Sequence, residues 1–456
     1  MATFDVRKYE RDIVFHTRQL IRIRSVQSAA EPGKPYGEGV YRALRYMLDL
    51  GESMRFRVTE VDGYAGHVEY GSGKEIVGVL THVDTVPEGT GWTYPPLEGV
   101  VEDGGIYGRG AADNKSAAVA ALYSLLALRE SGVVPDRRIR IIFGTNEENG
   151  MTDMDYYFAK EPLPDYGFVT DGPYPIVNAE KGSLVVGLRQ KLARGGSGWI
   201  AMNGGEAPNL VPESCFAFVY SAGKSVLEMS KRGRSAHGAF PDDGLNAIVL
   251  LLADLFERPE MLEAEASGDS FLRLLYERIG RETNGESLGL ACRDEEHGAL
   301  TVNLAQIRLD RNQAFAVLNI RYPVSANGEE VMAKLKRGLL SEAADSTEIE
   351  VEVLSHLEPV YVAPGHELIR RLSRAYEKAT GEPAKLISMA GGTYAKKLRN
   401  RGVTFGHAFQ GTDSRFHQAD ERVVVEELMR HAEICTLALY ELCKDEGEME
   451  HDHLRG

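Results

Sequence analysis

Ile76-Val77-Gly78-Val79-Leu80-Thr81-His82-Val83-Asp84 is the stretch from which the rest of the chain can be read. Its apolar first half has the length of a fully buried strand, and it empties into a histidine and a carboxylate two positions apart. In extended backbone such residues share a face, so Asp84 can orient the His82 imidazole as the partner of a metal ligand. Taken alone, the pair reads first as a surface His–Asp hydrogen bond.

The next hundred residues change that reading. Gly108-Arg109-Gly110-Ala111-Ala112-Asp113-Asn114-Lys115 delivers Asp113 directly before the Ala- and Leu-rich run 116–129, a strong helix former for which an isolated Asp would be an N-cap. A second strand, 138–143, ends in Gly144-Thr145-Asn146-Glu147-Glu148, and a third, 167–170, ends in Asp171. Three successive strands thus discharge acid or imidazole at their C-terminal ends. In an open α/β sheet ligands bind outside those ends, so the groups can converge on one crevice.

Length and composition bound the possibilities. A chain of 456 residues exceeds one ordinary core and implies two domains. A net charge of −16 argues against a nucleic-acid surface, which needs clustered Lys and Arg, and fits a cytoplasmic enzyme. Cys215, Cys292, Cys435 and Cys443 form no CxxC pair, so neither a disulfide framework nor a cysteine zinc site is expected. The N-terminus lacks the basic-then-apolar order of a secretory signal. The longest apolar run, 247–256, is interrupted by Asp254 and falls far short of the ~20 residues a membrane helix requires.

Along the chain, 8–22 and 38–50 have the spacing of amphipathic helices, and strand and helix then alternate to Asp171, the pattern of a mainly parallel sheet. From 183 to 355 alternating strands and a few helices describe an α+β segment. After Pro364 the parallel texture returns, with strands at 385–389 and 403–409 and a terminal helix over 421–443. The expected organisation is an α/β catalytic domain in two pieces, 1–182 and 356–456, with a domain at 183–355 inserted. The glycine-rich pieces 104–105 and 195–198 lack the Gly-Lys-Ser/Thr ending of a phosphate loop and read as turns. The acidic, histidine-containing tail 444–453 reads as a solvated end.

The last segment adds His417, which completes an inventory of His82, Asp113, Glu148, Asp171 and His417, with Asp84 and Glu147 beside them as non-ligands. Nitrogen and carboxylate donors without thiolate suit Zn²⁺, with Mn²⁺ as the harder alternative. Two ions about 3.5 to 4 Å apart, sharing a carboxylate and a water, account for the count better than one. Three carboxylates, two neutral imidazoles and a bridging hydroxide would bring two dications to neutrality. Of the Glu147-Glu148 pair one can ligate while the other serves as general base.

These motifs resemble the co-catalytic zinc metallopeptidase family that includes carnosinase, succinyl-diaminopimelate desuccinylase and the PepV-type dipeptidases. The resemblance runs through Gly-Tyr-Ala-Gly (63–66), Thr-His-Val-Asp (81–84), Gly-Arg-Gly-Ala-Ala-Asp (108–113), Thr-Asn-Glu-Glu (145–148) and Arg-Ser-Ala-His-Gly-Ala (234–239). It continues through Asn-Ile-Arg-Tyr-Pro (319–323), Gly-Gly-Thr-Tyr-Ala (391–395) and His-Gln-Ala-Asp-Glu (417–421). It implies a zinc-exopeptidase-like domain carrying a lid, with His82, Asp113 and Asp171 on one ion, Asp113, Glu148 and His417 on the other, Asp84 behind His82, and Glu147 as base. It further implies that His237 donates to the oxyanion and that Arg321 clamps the substrate carboxylate. Asn209, Gly391, Gly392 and Thr393 would be further substrate contacts. Asp171, rather than Glu, resembles members that act on peptides with a free amino group. Asn114 departs from the second Asp of many relatives and puts metal preference, not the site, in doubt.

The expected function is therefore a metal-dependent hydrolase of dipeptides or other short peptides. It would use a metal-bridging water, act without nucleic acid or membrane, and be a monomer rather than a dimer. N-acyl-amino-acid deacylation is the same chemistry on another acyl group, and a non-catalytic peptide- or metal-binding module is the alternative of a different class.

Overall fold

The computed structural model describes residues 4–192, 198–221, 224–256, 269–280, 282–340 and 349–444. The glycine-rich stretch 195–197 and the tail beyond 444 lie outside the described residues. Two compact units divide the chain: Met1–Asn178, Val360–Ile387 and Thr393–Gly456 form one, Ala179–Pro359 and Ser388–Gly392 the other.

The first unit opens with helices α1 (Glu10–Ile21) and α2 (Glu38–Ser53), followed by strands β1 (Arg57–Val61), β2 (Ala65–Tyr70) and β3 (Ile76–His82). A small hairpin, β4 (Val100–Glu102) and β5 (Gly105–Tyr107), precedes α3 (Lys115–Glu130). Then come β6 (Arg138–Gly144), α4 (Thr152–Lys160), β7 (Tyr166–Val169) and β8 (Ile176–Glu180). Helix α3 is buried from Lys115 through Leu128. Its alanines keep it thin enough to lie between other elements, and good helix formers keep it regular there.

The second unit carries β9 (Gly182–Lys191), β10 (Gly198–Gly204), β11 (Ser214–Ser221), β12 (Lys224–Arg232), α5 (Ala247–Phe256) and α6 (Asp269–Leu275). It continues with β13 (Arg293–Asp294), β14 (Gly298–Ala299), β15 (Thr301–Leu309), β16 (Gln313–Tyr322), α7 (Gly328–Leu340) and β17 (Glu350–Leu357). Seven of the strands form an antiparallel sheet in the order β12-β11-β10-β15-β16-β9-β17. Residues alternating along the strands, among them Leu184, Val186, Leu188, Ile200 and Met202, share a core with Ile248, Leu251 and Leu252 of α5. That period of two is the burial pattern expected when one face of a sheet is covered.

The chain returns through β18 (Val360–Tyr361), α8 (Glu367–Thr380), β19 (Leu386–Met389), β20 (Gly402–Thr404), β21 (Arg422–Val424) and α9 (Val425–Cys443). The large sheet runs β1-β2-β6-β3-β7-β20-β8-β18. Its central pairs β6·β3, β3·β7 and β7·β20 are parallel, while β1·β2, β2·β6 and β20·β8 are antiparallel. It is therefore a mixed sheet with parallel pairs in its middle. The expected strand 403–409 stops at Thr404, and α9 begins at Val425 because β21 pairs with β5.

Register is what places the site. His82 lies opposite Gly144 across β3·β6, and Leu80 lies opposite Val169 across β3·β7, so three strands finish at one level. Gly144 is needed at that level: a Cβ there would meet the Tyr394 hydroxyl at 2.0 Å, and that hydroxyl donates to Asp153 at 2.5 Å. Gly144→Ala should cost about 1–3 kcal/mol by overpacking. Thermal melting checks this, and an unchanged transition would show that Tyr394 can move aside freely.

Candidate metal centre

The five expected donors come together in the first unit around Asp113. Its Oδ1 is 2.9 Å from His82 Nε2 and its Oδ2 2.9 Å from His417 Nε2, although Asp113 and His417 are 304 positions apart. Asp171 Oδ2 lies 3.6 Å from His82 Nε2, and Glu148 Oε2 lies 3.3 Å from His417 Nε2. Two groups result, His82–Asp113–Asp171 and Asp113–Glu148–His417, with the donor atoms of each within 4.8 Å of one another.

The donor atoms fit divalent cations. His82 Nδ1 lies 3.1 Å from the main-chain oxygen of Asp84, so the neutral imidazole carries its proton on Nδ1 and can offer the Nε2 lone pair to a cation. His82 Nε2, Asp113 Oδ1 and Glu148 Oε1 are buried and make no aligned hydrogen bond, close as the first two are. Atoms that face one another without bonding, in a set of imidazole and carboxylate, suit Zn²⁺ or a harder ion. Asn114 points away from this set, its Nδ2 donating to the Thr170 carbonyl at 2.9 Å.

Buried carboxylates hold the loops that present these groups. The Asp84 side chain lies 3.4 Å from the His82 ring but accepts the amide hydrogens of Glu147 and Glu148, each at 3.2 Å. Asp84 thus supports both the imidazole, through its carbonyl, and the glutamate loop, through its carboxylate. Asp153, for which the sequence suggests no role, accepts from Thr145 N at 2.7 Å and Asn146 N at 3.1 Å. In the sequence it looks like any acid in the first turn of a helix. Glu421 accepts from the amides of Ala112 and Asp113; it closes the motif 417–421, where only His417 has an expected task.

Burial and the charge of Asp171 push Glu147 well up, and burial together with Asp113 pushes Glu148 to about 7. For His417, burial opposes the cation, but hydrogen bonds to Asp113 and Glu148 outweigh it and raise the imidazole to about 11. His82 is likewise raised against its burial by Asp113 and Asp171.

The remaining expected residues belong to the second unit, except Thr393. Arg321, on β16, is only 8% exposed. Its Nε donates to Asn319 Oδ1 at 3.0 Å, and among the described residues no carboxylate pairs with it. Burial accordingly lowers its guanidinium to about 10. His237 is exposed and its Nδ1 accepts from Ala239 N at 3.2 Å, while Gly238 N donates to the Asn209 carbonyl at 2.7 Å. Gly391 and Gly392 are half-buried. The Thr393 hydroxyl is buried and engaged, accepting from Ala395 N and meeting Thr404 Oγ1 at 2.8 Å.

The model of Peptidase family M20/M25/M40 matches residues 78–441. A protein of Bacillus subtilis (strain 168) named "Putative dipeptidase YtjP" is 35% identical, over 96% of this chain and 98% of its own. Among solved structures, human carnosine dipeptidase 1 superposes with a TM-score of 0.62 at 16% identity, covering 96% of this chain and 97% of that one. The di-peptidase Dug1p of Saccharomyces cerevisiae does so with a TM-score of 0.62 at 12% identity, covering 96% and 98%. At those identities the structural likeness shows the fold alone.

Metal removal should destabilise the first unit more at pH 8.5 than at pH 6.5. The folded-state values of His417 and Glu148 lie above the ordinary 6.5 and 4.5, so the stability that bound protons contribute is present below the ordinary values. It is lost as pH rises through about 7 for Glu148 and toward about 11 for His417. Protons therefore replace the cations less well at the higher pH, where Glu148 has lost its proton and His417 still holds one, while metal binding itself strengthens with pH. Melting with and without chelator at both pH values checks this; equal losses would overturn it.

Proposed function

Because the chain belongs to Peptidase family M20/M25/M40 and is thereby a metal-dependent hydrolase of short peptides, we propose that it is a dinuclear, cytoplasmic dipeptidase. The observation that carries this reading is the Asp113 carboxylate shared by two donor groups, with Glu147 set among them. His82, Asp113 and Asp171 would hold one cation and Asp113, Glu148 and His417 the other, with Zn²⁺ favoured over Mn²⁺ by the imidazole content. When bound, such a pair polarises a carbonyl and acidifies water.

The chain's own groups do the rest. Glu147 is read as the base: ionised once cations offset the neighbouring carboxylates, it would take the proton of the attacking water and carry it to the leaving nitrogen. Asp84 holds the Glu147 amide and so fixes where that carboxylate stands. Arg321, a buried cation without an acidic partner among the described residues, is read as the group that holds the substrate's terminal carboxylate; a planar fork suits that partner. His237 is read as the donor to the oxyanion, and Asn209, Gly391, Gly392 and Thr393 as lesser contacts. The second unit is read as a lid, and the enzyme as a monomer.

A panel of dipeptides and N-acetyl- and N-succinyl-amino acids, assayed with Zn²⁺ or Mn²⁺ and with metal content measured, tests the reading. Turnover of dipeptides is expected, and turnover of acylated amino acids alone would replace the dipeptidase by a deacylase. Glu147→Gln should lower kcat by about 10²- to 10⁴-fold with two ions still bound; loss of metal in that variant would exchange the roles of Glu147 and Glu148. Arg321→Met removes hydrogen bonds to a charged group, worth about 1.5–3 kcal/mol, and should raise KM for dipeptides about tenfold or more. An unchanged KM would remove Arg321 from the substrate site.

A further inference from the structure

The motif His417-Gln418-Ala419-Asp420-Glu421 contributes one donor to the proposed centre, and its last residue is bound more extensively than that role requires. The Glu421 side chain is fully buried. Its Oε1 accepts from Ala112 N at 2.9 Å and Asp113 N at 3.0 Å, and its Oε2 accepts from Arg109 Nη1 at 2.5 Å. Its main-chain oxygen accepts from Gly108 N at 2.9 Å. Arg109 is buried too. Its Nη2 donates to the Glu88 carbonyl at 3.1 Å and its guanidinium lies over the Trp92 ring. One glutamate is thereby tied to both ends of the segment 108–113.

The loop that reaches Glu421 is held in an unfavourable shape. Arg415, His417 and Asp420 have φ of 54°, 60° and 59°, left-handed backbone that non-glycine residues adopt only when surrounding contacts impose it. The Asp420 carboxylate secures the loop by accepting from Thr93 N at 2.7 Å. Glu421 secures it to the neighbouring donor's own peptide nitrogen. A buried ion pair such as Arg109–Glu421 adds little net stability, because desolvation offsets attraction, yet it permits few arrangements. Its product here is geometry.

We propose that Glu421 is a positioning residue: fixed by Arg109, its carboxylate locks the main chain of Ala112 and Asp113 to the loop bearing His417 and so sets the separation of those two donors. The inference rests on the proposed metal centre. A cation held by Asp113 and His417 would feel any loosening of this tie as lost affinity, because partners behind a ligand typically carry 10- to 100-fold in metal binding.

The test uses metal-free wild type, Asp113→Ala, Glu421→Gln and Val423→Ala, each titrated with Zn²⁺ against a chromophoric chelator, with thermal melting alongside. Val423 is buried on β21, paired with β5, and serves as a destabilised control without a tie to the donors. Glu421→Gln is expected to weaken Zn²⁺ binding about 10- to 100-fold, while Val423→Ala lowers the melting temperature and leaves affinity unchanged. Affinity in Glu421→Gln equal to that of Val423→Ala would make Glu421 structural only and overturn the proposal. Wild-type affinity in Asp113→Ala would show that the donor set itself is wrong and would remove the centre together with the inference. Should Glu421→Gln not fold, Arg109→Lys decides: it keeps the charge but loses the two-pronged grip, and reduced affinity supports the proposal while wild-type affinity overturns it.

Discussion

The Asp113 carboxylate stands 2.9 Å from two imidazoles delivered by distant parts of the chain, and the first unit is arranged so that this is possible. Parallel pairing of β6, β3 and β7 ends three strands at one level. Their loops then have nowhere to go but over a common edge, where an open α/β sheet places ligands. The long, alanine-rich α3 follows Asp113 directly into the core, which anchors the loop from its other side. What separates the cluster from a solvated patch of acids is that Glu147, Glu148, His82 and His417 all hold their protons more firmly there than they would in water, although His417 is exposed. Burial pushes the two glutamates up, while the carboxylates raise the two histidines against their burial.

Much of this was legible in the residues because the signals are local. A buried apolar strand followed at once by His82, and a strand followed at once by Glu147-Glu148, announce both the element and its useful end. The change of texture between alternating strands and strand–helix repeats suggests a first unit in two pieces, whereas the fold divides it into three, with Ser388–Gly392 falling in the second unit. Other features were not legible because they depend on pairing across hundreds of positions. The antiparallel flanks of the large sheet were missed, since strands such as β2 look the same in either direction. The strand expected over 403–409 stops at Thr404, and its apolar continuation packs as loop, with Phe405 fully buried.

The supporting carboxylates were harder still. Asp84, Asp153 and Glu421 each accept two consecutive main-chain amides of a loop that carries a donor, and nothing in an acidic residue's identity says which way it faces. For Asp84 the sequence suggested a carboxylate against the imidazole; the fold sets both its carbonyl, at 3.1 Å, and its carboxylate, at 3.4 Å, beside His82 Nδ1. The same device used three times makes the loops rigid through their peptide nitrogens, leaving the donor side chains free of other engagements.

The span between Asp113 and His417 also bears on when the centre can exist. Synthesis proceeds from the N-terminus, and His82, Asp113 and Asp171 emerge long before the segment around 417, with the whole second unit produced in between. Until that segment has docked, one of the two donor groups lacks its imidazole and Asp113 lacks the tie from Glu421. Both donor groups are thus complete only once that segment has been made, and an unfinished polypeptide leaving the ribosome carries four of the five donors and one complete group.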